Sequence, residues 1–163
     1  MILVGTLLYG VQRNFNTLSM SNGWSQCYNG TYNIVLNTAV LTSILNVCNK
    51  GKLMLGCRLK NSSLLSVAAM GLRADVLYNC GTSATCTKVV NVNGVGWYFS
   101  TDYSWGFVNN TDSVSRSTCD TASTNPDYRL CWHTESTSGG YRCGSVVNLN
   151  SDTTYERVIY HSN

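Results

Sequence analysis

The chain has a single proline, Pro126, and only 12% of its residues are charged, about half the usual share. No proline-rich linker, low-complexity tract or block of like charge divides it, so its 163 residues read as one domain of ordinary size. No apolar run approaches the roughly 20 residues of a membrane-spanning helix, so no membrane span is expected. The net charge is +3 and no basic stripe is interleaved with aromatics, which argues against a nucleic-acid partner. A G-x-S-x-G nucleophile motif, a Cys-x-x-Cys pair and a Cys/His cluster with zinc spacing are all missing. Neither a metal nor a cofactor is implied.

Cysteine, by contrast, is abundant. Cys27, Cys48, Cys57, Cys80, Cys86, Cys119, Cys131 and Cys143 are even in number, and four disulfides are the natural account. Spacing alone does not fix the connectivity. One local pair stands out, because Cys80 and Cys86 flank the short polar loop Gly-Thr-Ser-Ala-Thr. Cys119, Cys131 and Cys143 flank two turn-rich stretches, so at least one bridge should join members of that group. Three glycosylation sequons point to the same compartment: Asn29-Gly-Thr, Asn61-Ser-Ser and Asn109-Asn-Thr. Together they predict an extracellular protein, secreted or at the cell surface. Met1 to Tyr9 is apolar, but it lacks the basic region and small-residue cleavage site of a complete signal peptide.

Ser, Thr and Asn stand where Lys and Glu usually serve as the solvated residues, which lowers helix propensity and favours strands and turns. The stripe Leu41, Ile44, Leu45 and Cys48, with Asn37 or Thr38 as cap and Gly51 as stop, predicts one short helix over about 38–50. Elsewhere the pattern is strand. Strands are predicted over 53–59, 64–70, 75–78, 88–92, 96–99, 104–108, 128–134, 140–146 and 154–160. The fold class is therefore mainly β, an antiparallel β-sandwich or jelly-roll-like domain. Residues 1–11 read as a strand that is apolar on both faces, with Ile2, Val4 and Leu8 on one of them. Residues 1–12 are thus a candidate assembly strand that could complete the sheet of a neighbouring copy.

Four sets of side chains compete for a functional role. His133 and Glu135 share a strand face and could act as a base with its orienter, but a bridged Cys131 beside them favours a structural histidine. Asp102, Asp112, Asp120 and Asp127 fall in predicted turns and lack the D-x-D-x-D-G spacing of a calcium loop. They read as turn residues. Trp97, Phe99, Trp105 and Phe107 read as cross-strand partners filling the core, which leaves Tyr103 and its neighbour Asp102, at a hairpin tip, as a candidate glycan-binding pair. Arg73, Arg116, Arg129, Arg142 and Arg157 suit partly buried ion pairs with Asp75, Asp120 or Glu156.

The function expected from these features is a non-catalytic structural or adhesion module, self-assembling into an oligomer or polymer as a surface, matrix or fibre component. A lectin-like glycan-binding module is the first alternative. A small secreted hydrolase using His133 and Glu135 is the second.

Overall fold

The computed structural model describes residues 5–117, 119–135 and 139–163. Among the described residues ten strands form two antiparallel five-stranded sheets packed as a sandwich. The first sheet is built from β1 (Gln12–Asn16), β2 (Ser25–Thr31), β3 (Lys52–Leu59), β4 (Leu64–Leu72) and β10 (Tyr155–Ser162), in the order β1-β4-β3-β10-β2. The second is a simple meander of β5 (Lys88–Val90), β6 (Val95–Phe99), β7 (Ser104–Asn109), β8 (Leu130–His133) and β9 (Arg142–Cys143). The expected fold class is thus the observed one.

The central core lies between the sheets. Leu53, Leu55, Val67 and Ile159 of the first sheet meet Trp97, Trp105, Phe107 and Trp132 of the second. The indole and phenyl rings meet edge to face: Trp97–Phe107 at 5.4 Å and Trp105–Trp132 at 5.5 Å between centroids, a favoured quadrupolar geometry. The outer faces are covered as well. Leu7, Leu8, Met20 and Trp24 pack over Phe15, Met54, Met70 and Tyr160 on the first sheet. A second outer cluster joins Tyr98, Val108, Val114, Cys119 and Cys131. Strands covered on both sides read as near-continuous apolar runs, which is why β3 and β4 were easy to see in the sequence.

The helix α1 (Thr38–Val47) is capped by the Asn37 side chain, which accepts from the Val40 amide at 3.0 Å, and buries Leu41 and Ile44. Three predicted elements differ. The expected strand over 75–78 is instead one turn of helix, α2 (Arg73–Val76). Strand β9 has only two residues of the seven expected. Residues 6–8 have no regular structure where a strand was expected; Gly5 and Gly10 flank them with φ of 63° and 76°, a conformation that ends a strand.

All eight cysteines are paired. Cys57–Cys143 links β3 to β9 and so joins the two sheets. Cys27–Cys48 ties β2 to the end of α1, Cys119–Cys131 ties a loop to β8, and Cys80–Cys86 closes the expected local loop.

Candidate functional site

An apolar cleft of about 320 Å³ opens where the N-terminal segment passes the end of β4 and the β5–β6 turn. Leu7 and Tyr9 line it from the first, Leu72 and Asp75 from the end of β4 and the start of α2, and Val92 and Asn93 from the turn. Its rim is unusually exposed: Val92 is 89% accessible, Tyr9 68% and Leu72 50%. Gly94 has φ of 66° and lies under the Tyr9 ring; a Cβ there would come within 2.7 Å of it. Glycine therefore serves both the turn and the close approach of the tyrosine.

Asn93 fastens the parts together. Its backbone carbonyl accepts from the Gly10 amide at 2.5 Å, and its side-chain Nδ2 donates to the Met70 carbonyl of β4 at 2.6 Å. The residue is 5% exposed, yet its Oδ1 has no hydrogen-bond donor within reach among the described residues. Asp75, the one charged group of the lining among the described residues, holds Lys88 Nζ at 2.8 Å. The lysine ammonium also sits 5.4 Å from the centre of the exposed Tyr78 ring.

The side chains singled out from the sequence lie elsewhere. His133 is buried against Tyr141, with Nδ1 3.2 Å from the exposed Glu135 but not aligned for a hydrogen bond. Burial pulls its pKa below the ordinary value, and the Glu135 charge opposes this only in part. Its antiparallel partner Ser104 is fully buried and accepts from Arg116 through its hydroxyl. Trp97, Trp105, Phe107 and Trp132 are in the core. Tyr103 is only half-buried at the tip of the β6–β7 turn, and its ring lies 5.4 Å from the Arg116 guanidinium, which Tyr98 covers at 5.0 Å on its own account. Asp102 is exposed beside it. Leu8 packs against the outer face of its own sheet, whereas Ile2 and Val4 lie outside the described residues. Asn29 and Asn61 are exposed and Asn109 is half-exposed.

The acids and arginines correct the sequence reading in part. Asp120 is fully buried, pairs with Arg129 at 2.9 Å and accepts from the amides of Ser115 and Ala122. Asp75 pairs with Lys88 and Glu156 with Arg58, rather than with the arginines expected. Those arginines gather backbone carbonyls instead. Arg73 donates to Leu45 and Cys48 at the end of α1. Arg116 reaches Gly81 and Ser83, Arg142 reaches Asp120, Ala122 and Gly144, and Arg157 reaches Thr31, Ile34 and Gly139. The rigid fork of donors suits this use, since several dipoles can share one delocalised charge.

The chain matches no family model, no curated protein and no solved structure. Among the described residues no group of three His, Cys, Asp or Glu side chains could hold a metal ion, and no helix is long and apolar enough to cross a membrane. What distinguishes the cleft chemically is an apolar wall, one buried acceptor and one carboxylate.

Proposed function

We propose that this protein is a non-catalytic extracellular module that works by contact, as an adhesive or structural component, and that the cleft beside Asn93 is where it makes that contact. The observation that carries the reading is the exposed apolar rim of Tyr9, Leu72 and Val92 around a concave site. Concave, mostly apolar sites with few convergent polar groups are the usual form of binding sites. Four disulfides and the three sequons support an extracellular setting. The buried polar side chains support a non-catalytic one, because arginine, aspartate and serine groups are taken up in fixing loops. Exchange of the first twelve residues between copies has less support, since Leu7 and Leu8 already pack within their own chain.

The neutral dye Prodan tests the reading by fluorescence titration. Wild type is expected to bind it saturably with one site. Val92→Asp, which puts a charge on the rim, should weaken binding by about tenfold or more while shifting stability by no more than about 0.5 kcal/mol. Absence of saturable binding by wild type, or equal binding by the variant, would overturn the proposal.

A further inference from the structure

We infer that Asn22 is a site of spontaneous deamidation, which the fold permits there and blocks at the two other Asn-Gly pairs. Those pairs in full are Asn22-Gly23, Asn29-Gly30 and Asn93-Gly94. In this reaction the glycine amide nitrogen attacks the side-chain carbonyl carbon of the asparagine. A nitrogen–carbon bond forms, ammonia leaves and a succinimide ring results. Water then opens the ring at either carbonyl to give aspartate or isoaspartate, so the net change is water taken up and ammonia lost. Asparagine is thermolabile for this reason, and a following glycine helps because it has no side chain to shield the nitrogen or restrict the backbone. The inference holds whatever the cleft beside Asn93 binds.

Three local environments separate the pairs. Asn22 and Gly23 are both exposed, in a turn just before β2, and Gly23 has φ of 100°. Neither the Asn22 side-chain amide nor the Gly23 N–H has a hydrogen-bond partner among the described residues. The attacking nitrogen and the leaving amide are thus both free and in contact with water. Asn29-Gly30 lies inside β2, where Asn29 pairs with Val158 and Gly30 with Arg157 of β10. The ladder fixes an extended backbone and so blocks the rotation about ψ that ring closure needs. At the third pair, Asn93 Nδ2 donates to the Met70 carbonyl at 2.6 Å and the Gly94 N–H to the Val90 carbonyl at 2.8 Å. Both reacting groups are engaged there, and conversion would need a local opening.

The turn at Asn22 also anchors the N-terminal segment. The Asn22 carbonyl accepts from the Gly5 amide at 2.8 Å, Ser21 Oγ accepts from the Thr6 amide at 2.9 Å, and Trp24 Nε1 donates to the Thr6 carbonyl at 3.4 Å. Leu7 and Leu8 follow directly and pack over the first sheet beside Met20 and Trp24. Isoaspartate routes the chain through its side-chain carbon, which adds a methylene between Ser21 and Trp24. Three bonds spaced for an ordinary backbone cannot all survive that insertion. A hollow of about 200 Å³, lined by Thr6, Leu8, Met20 and Ser21 among others, leaves the segment room to shift.

Peptide mapping by mass spectrometry tests the site, using the full chain made without glycans so that Asn29 keeps a free amide. On incubation at physiological temperature and pH, Asn22 should convert to aspartate and isoaspartate while Asn29 and Asn93 keep their amides. In the reduced chain unfolded in urea, all three should convert. Equal conversion of the three in the folded chain, or an intact Asn22, overturns the inference. Hydrogen exchange reads the consequence. Protein converted at Asn22 should exchange the amides of residues 5–8 several-fold faster than fresh protein. Fresh Asn22→Asp, which adds the charge without the methylene, should exchange them at the wild-type rate. Unchanged exchange after conversion, or equally fast exchange in Asn22→Asp, overturns the loosening by a lengthened turn.

Discussion

His133 and His161 are both buried, and burial lowers the pKa of each below the ordinary value near 6.5; at His161 the nearby charges of Lys50 and Arg73 push the same way. The sign of the consequence is fixed by linkage. As pH falls through about 6.5 the unfolded chain takes up protons at these two residues while the folded chain does not, so acid favours unfolding. The stability they protect is complete above about pH 6.5 and is lost progressively below it, towards the lowered folded values. Urea unfolding at pH 7.5 and pH 5.5 should therefore give a lower free energy at the acid value. His133→Gln should flatten that slope whatever its own stability; an unchanged slope would show that this imidazole is not held neutral. His133 stands out in the sequence, whereas Asn93 does not. The reason is physical. Asn93-Gly94 has the chemistry of a hairpin turn, and nothing local reveals that one amide oxygen will lose its partner once the N-terminal segment and β4 close around it. Val92, an apolar side chain in an Asn-rich turn, was the one visible hint.

At the scale of elements, α1 depends on its ends. The Asn37 side chain satisfies the Val40 amide at 3.0 Å, and a lost cap of this kind costs about 1 kcal/mol. Asn37→Ala is expected to lower the urea midpoint accordingly with no change in slope, and Asn37→Asp should retain most of the stability. The helix itself was legible because its apolar stripe and cap are local signals. So were β3, β4, β6, β7 and β10, whose runs of apolar residues reflect cover on both faces. Strands β1 and β2, with sequences QRNFN and SQCYNGT, were missed. Both are edge strands of the first sheet, and an edge strand partly open to solvent carries a weak pattern. The error at 75–78 has another cause. Arg73 turns inward to bind carbonyls at the end of α1, which curls the following residues into α2 against the propensity of Val76, Leu77 and Tyr78.

For the whole molecule, the bridges differ in what they constrain. Cys57–Cys143 closes a separation of 86 residues between the sheets, while Cys80–Cys86 closes one of 6. On the chain-entropy account these are worth about 4.6 and about 2.2 kcal/mol. Replacing the first pair by serine should therefore cost roughly twice as much as replacing the second, as read from denaturant unfolding; the reverse order would mean that native packing already holds the sheets. The position of β10 has a consequence in time. It is the last-made strand of the first sheet, yet it lies within that sheet, between β3 and β2. Until β10 is made, β2 has no neighbour to pair with and the apolar β3 presents an open edge. Cys80 and Cys86 can find each other early, but Cys57 must wait for Cys143. From the making of β3 to the making of β10 the nascent chain thus carries an apolar strand with one edge unpaired, and that interval is when it is most open to pairing with another chain.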